Sequence, residues 1–186
     1  MRKVSLSGAV LAAVLASTVG CKDDVTQVPA APTPAHYQIS FPSTAAAVGA
    51  DTVQVTVFDV PAVDASRTGE DASCLTLITK VKSNADLPKA PTRLAQTDFV
   101  PVCSLLTASG DAGATPGRLG EISYGRRAFL ATTKRGTADY FVGCVEATVS
   151  SRDFTVDIPV LPVNETTLPP TTACATLGEK CAGSCK

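Results

Sequence analysis

The sequence predicts a mainly β protein: a single antiparallel β-sandwich with one short helix and a disulfide-bonded C-terminal tail. Three observations carry this. Short segments of alternating apolar and polar residues recur along residues 37–163, as half-buried strands require. Gly- and Pro-rich connections separate them, and only one segment has helical spacing. Six of the seven cysteines lie beyond residue 70, three in the body (Cys74, Cys103, Cys144) and three in the tail (Cys174, Cys181, Cys185).

Each element follows in order. His36 to Phe41 places Tyr37, Ile39 and Phe41 on one face of a strand, and Asp51 to Asp59 does the same with Val53, Val55 and Val57. A glycine and small residues connect the two. In Ser73 to Lys82, Leu75, Ile78 and Val81 recur at three-residue steps beside Leu77, and Asp71 or Ser73 can cap a short helix. Residues 83–98, with Pro88 and Pro91, read as a long loop. Phe99 to Leu106 is apolar but broken by Pro101, so it is an edge strand at best. Ala108 to Gly120 is turn chemistry throughout. Arg126–Thr133 and Tyr140–Val149 form a hairpin turning near Gly136, and Phe154–Leu161 is the last strand. The order of strands loosely resembles transthyretin-like and immunoglobulin-like envelope modules. That resemblance implies a fold and no activity.

The N-terminus reads as an address. Met1-Arg2-Lys3 is basic, and Val4 to Ala16 is an apolar run of 13 residues. A bilayer-spanning helix needs about 20, whereas a signal-peptide core does not. Ser17-Thr18-Val19-Gly20 then leads into Cys21-Lys22-Asp23-Asp24. This arrangement resembles the lipobox of bacterial lipoproteins, with Thr18 where the family usually has Leu and Val19 where it has Ala or Ser. The resemblance implies removal of residues 1–20, diacylglycerol on the Cys21 thiol, and anchoring in a membrane of the cell envelope. Lys22 to His36 is then the tether, because Pro29, Pro32 and Pro34 favour extended, solvated backbone.

Cysteine parity agrees with lipidation. Seven thiols are an awkward count for an exported chain, and acylation of Cys21 leaves six for three disulfides. With three on each side, every complete pairing must join tail to body at least once. The layout suggests Cys74–Cys144, stapling the helical segment to the sheet, with Cys103–Cys174 and Cys181–Cys185.

Other function classes lose ground. The chain carries 16 basic and 17 acidic residues; loss of Arg2 and Lys3 leaves 14 against 17, or −3. No basic block exists to neutralise a row of phosphates, so nucleic acid is a poor partner. The single histidine, His36, closes the tether, where nothing would orient it as a general base. Asp51, Asp59, Glu70, Asp71, Glu121 and Glu146 stand at strand ends or exposed positions, where a solvated carboxylate is ordinary. Arg126 and Arg127 point to opposite faces of a strand. The tail cysteines lack the fourth ligand and pairwise spacing of a zinc site. No enzyme activity, cofactor or metal is expected. The expected role is a structural or protein-interaction domain; a carbohydrate- or small-ligand-binding module is the alternative. Tyr and Phe exposed around a groove would favour the second, and buried aromatics the first.

Overall fold

The computed structural model describes residues 32–60, 72–105, 117–164 and 174–184. Their element order is β1 (Thr33–Ser40), α1 (Thr44–Gly49), β2 (Thr52–Asp59), α2 (Cys74–Lys82), β3 (Arg93–Gln96) and β4 (Val100–Pro101). A 3-10 turn (Val102–Leu105) follows, then β5 (Gly117–Ile122), β6 (Gly125–Arg135), β7 (Ala138–Val149), β8 (Phe154–Pro159), β9 (Leu161–Pro162) and α3 (Leu177–Cys181).

Two sheets pack face to face. The smaller has the order β5-β1-β8; the larger runs β3-β2-β6-β7-β9, with β4 also paired to β2. Apolar residues of both inner faces meet between them: Ala35 and Tyr37 of β1, Val156 and Ile158 of β8, Val53, Val55 and Val57 of β2, and Phe129 and Ala131 of β6. The alternation read in β1, β2 and β8 is this inner face. Strand β6 is apolar on both sides, and β2 is so at Phe58, because the larger sheet carries a second core. Phe58, Ala128, Leu130 and Val142 point away from the smaller sheet and pack with Leu77 of α2. Leu77, Ile78 and Val81 of the helical spacing in Ser73–Lys82 form the stripe that docks α2 on that outer face, whereas Leu75, expected in the same stripe, is 78 % exposed. Ser73 caps this helix by accepting from the Thr76 N–H.

The mainly β sandwich matches the sequence expectation, and several details differ. Strands β1 and β8 pair in parallel, Ala35 opposite Phe154 through Ser40 opposite Pro159, while every other pairing is antiparallel. Strand β1 starts at Thr33, so His36 belongs to the sheet and does not close a tether. Part of the loop expected at 83–98 is β3, which has little strand character of its own and forms by pairing with β2. Gly117–Ile122, expected as turn, is β5. A β-carbon on Gly117 would overlap the Tyr37 ring, so the glycine admits that buried side chain rather than breaking the strand. Gly143 has the same reason on β7, where the Pro159 carbonyl passes too close for any side chain. The small-residue connection after β1 is α1, capped by Ser43, and α3 is an unexpected helix with a Thr176–Glu179 capping box.

Candidate functional site

The outward face of the smaller sheet carries its polar side chains. On β1 these are His36, Gln38 and Ser40; on β8, Thr155 and Asp157. Two depressions lie in series on this face. A groove of about 550 Å³ is lined by Gln38, Ile39, Ser40, Phe41, Ser43, Thr44, Ala47 and Asp157, between the sheet and α1. A shallower one of about 290 Å³ is lined by Pro34, Ala35, His36, Arg118, Gly120 and Glu121. In the first, the Ser40 hydroxyl donates to Asp157 Oδ1 at 2.7 Å.

The two ends of the sandwich are held by different cations. At the Thr33 end Arg127, 8 % exposed, donates to Ser123 O, Ser123 Oγ, Tyr124 O and Arg126 O, and pairs with Asp59. Gly125, at φ +129, turns the chain beneath that guanidinium. Arg126 faces the other side and pairs with Glu146, which also accepts from the Cys74 N–H. The opposite-face expectation for these arginines is thus observed.

At the Ser40 end Lys180 of α3 donates to Val48 O at 2.8 Å, Ala50 O at 2.6 Å and Asp51 Oδ1 at 3.0 Å. All three ammonium protons are used, two of them on carbonyls at the C-terminus of α1. Asp51 Oδ2 accepts from the Gly136 N–H at 2.8 Å, at the hairpin tip. Burial pushes the Asp51 pKa up, but the Gly136 N–H and the Lys180 ammonium outweigh it and hold the carboxyl below its ordinary range.

One of the two disulfides formed between described residues completes the second clamp, and the other lies on the outer face of the larger sheet. Cys74–Cys144 joins α2 to β7 as the layout suggested, with 5.3 Å between Cα atoms. Cys103 pairs with Cys181 and not with Cys174, and so Cys181 does not pair with Cys185. The reason is local. In α3, Leu177 and Cys181 are four apart and share a face, so docking Leu177 into the core carries Cys181 onto the 3-10 turn holding Cys103. The tail is joined to the body, as parity required. Cys174 is also disulfide-bonded, and its partner is not among the described residues. Cys21 and Cys185 lie outside the described residues, as do Glu70 and Asp71.

The remaining carboxylates are dispersed: Asp51 with Lys180, Asp59 with Arg127, Glu146 with Arg126, and Glu121 in the shallow depression. Among the described residues no three His, Cys, Asp or Glu gather as metal ligands would. Tyr37, Phe58, Phe129, Tyr140 and Phe141 are buried, and burial raises the pKa of both tyrosines. Phe99 is 39 % exposed and lies under the Lys134 ammonium. Sequence reasoning missed Lys180, whose only local signal is a basic residue in the last turn of a short helix.

The class so defined is a disulfide-stapled two-sheet domain with one helix on its outer face and a tail bound back to the body. No protein-family model matches the chain, and no curated protein and no solved structure is similar to it. Disulfides persist in oxidising compartments, and these bridges point to a location outside the cytoplasm. No helix among the described residues is long and apolar enough to cross a membrane.

Proposed function

We propose that this protein is a cell-envelope lipoprotein, anchored by an acylated Cys21, whose sandwich serves a structural or protein-interaction role. The carrying observation is the use of the sulfurs. All five cysteines among the described residues are in disulfides, out of seven in the chain. Cys174 is bonded to a cysteine outside the described residues, so the odd total of seven leaves one sulfur over, and in our reading that sulfur is Cys21. It stands where the lipobox-like segment needs a nucleophile for acylation.

Topology supports a defined orientation. The N-terminal segment enters β1 at Thr33, beside Ile122 and on the side of Gly125 and Val149. The hairpin tip, α1 and α3 lie at the other end, since β6 runs 11 residues from Gly125 to Arg135. At about 3.3 Å per residue that is roughly 35 Å. A lipid on Cys21 would hold the Thr33 end toward the bilayer and present the Lys180 end outward. Burial of most aromatic side chains favours the structural or interaction role over a stacking platform for ligands.

Mass spectrometry of the membrane-fraction protein tests this. The expected product starts at Cys21, carries diacylglycerol, and gains about six hydrogens on reduction. A Cys21→Ser variant should leave the membrane fraction. A soluble product beginning at another residue would sink the proposal.

A further inference from the structure

We infer that the groove between the smaller sheet and α1, at the Ser40 end of the sandwich, is a binding site for a neutral saccharide. This goes beyond the anchoring role and does not depend on it.

The chemistry of the lining selects the ligand class. Ser40, Ser43, Thr44 and Asp157 supply hydrogen-bonding groups, while Ile39, Phe41 and Ala47 supply apolar surface. A sugar offers the complementary pattern, hydroxyls around the ring edge and C–H groups on its faces. Among the described residues no lysine or arginine lines the groove, and none of them would neutralise a phosphate or carboxylate there. A single carboxylate is too few for a hard cation, which takes several oxygen ligands. An apolar ligand would leave the polar rim without partners when it closed over it.

The geometry is partly organised in advance. The Ser40 hydroxyl donates to Asp157 Oδ1, which orients that carboxylate and leaves Oδ2 to accept from a ligand hydroxyl. Ser43 Oγ accepts from the Ala46 N–H as the α1 cap, which holds it at the rim with its own proton available to donate. The volume, about 550 Å³, lies within the range of small-molecule sites. The smaller depression, a separate one, is lined by Pro34, Ala35 and His36 further back along β1. Outward positions on one strand repeat about every 6.6 Å. A second sugar unit linked to the first would therefore lie over His36 and Arg118. Phe41 also packs edge-on against Phe141 at 6.0 Å and is half-buried, so its stacking area is limited and affinity should be in the millimolar range.

Amide chemical shifts of the mature chain, titrated with maltose, cellobiose and the β-1,4-linked dimer of N-acetylglucosamine, provide the test. At least one sugar should give saturable shifts confined to residues 34–47, 117–121 and 155–158. Asp157→Ala should weaken binding about tenfold, the equivalent of ~1.4 kcal/mol. Thr44→Lys, which lays a long chain across the mouth from an exposed position, should do the same without touching the sheet. Absence of shifts at tens of millimolar for all three sugars would overturn the inference. So would shifts elsewhere on the surface, shifts unchanged in both variants, or saturable binding of free arginine with none of any sugar.

Discussion

At the Thr33 end of the sandwich a buried arginine binds mostly its own chain neighbours; at the Ser40 end a mostly buried lysine binds residues some 130 positions away. Arg127 reaches Ser123, Tyr124 and Arg126, and only Asp59 is distant in sequence. Lys180 reaches Val48 and Ala50 across separations of 132 and 130. The first clamp closes a short turn, whose ordering entropy is small and is offset by hydrogen bonds alone. The second must bring a tail back over most of the chain. Its helix is five residues long, with only Leu177 buried. A helix that short is not stable by itself. A covalent bridge at Cys181 is what makes that docking permanent.

The largest expected effect comes from removing the bridge. With a sequence separation of 78, the chain-entropy estimate for Cys103–Cys181 is about 4 kcal/mol. A Cys103→Ala/Cys181→Ala double variant should lose close to that in urea unfolding. Hydrogen exchange in α3 should also rise far more than exchange in β6 and β7. Equal acceleration in tail and sheet would show that the tail is not a separately releasable unit.

Next in size is Arg127→Ala. It removes a guanidinium that is nearly dry and leaves Ser123 O and Tyr124 O without their donor. Breaking one side of a buried ion pair costs about 3 kcal/mol or more; Asp59 is 44 % exposed, which limits the loss to roughly 2–3 kcal/mol here. The change should lower the denaturation midpoint while leaving α3 protected. Loss of α3 protection at the same denaturant concentration would tie the two ends together.

The smallest effect belongs to Lys180. Its side chain is 24 % exposed and that of Asp51 47 %, so Lys180→Met should cost only about 1 kcal/mol. The pH dependence has a definite sign. The folded Asp51 pKa lies below its ordinary value of 3.8, so this stabilisation is fully present above that value. It is lost as pH falls through the lowered folded value, because the unfolded chain then binds the proton more readily. The wild type should lose α3 protection in that acid window, and the Lys180→Met variant should show a weaker dependence. Identical acid profiles would remove Asp51 from the clamp.

Much of the fold was legible where a signal is local. Tyr37 and Ile39 mark β1, Val53, Val55 and Val57 mark β2, and Leu77 lies in the stripe that docks α2. The same layout pointed to Cys74–Cys144, since both residues sit on elements the sequence predicts. The elements that stayed hidden lack local pattern. Strand β3 exists because Thr56 and Val57 offer it a ladder, and β5 because Gly117 makes room for Tyr37. The groove was equally hidden: α1 reads as a small-residue connection, and Asp157 meets Ser40 only because β8 lies parallel to β1.

The sequence by itself determined what depends on periodicity and counting: a β sandwich with one short helix, an apolar N-terminal run ahead of Cys21, and three cysteines each in body and tail, so that with Cys21 set aside complete pairing joins tail to body. Tertiary structure alone decided which surfaces meet. Examples are the parallel contact of β1 with β8, the choice of Cys181 over Cys174 as the partner of Cys103, and the capture of Lys180 by the end of α1. Alternation and spacing record which face of an element is apolar, but a partner 78 or 130 residues away is selected by the packing of whole layers.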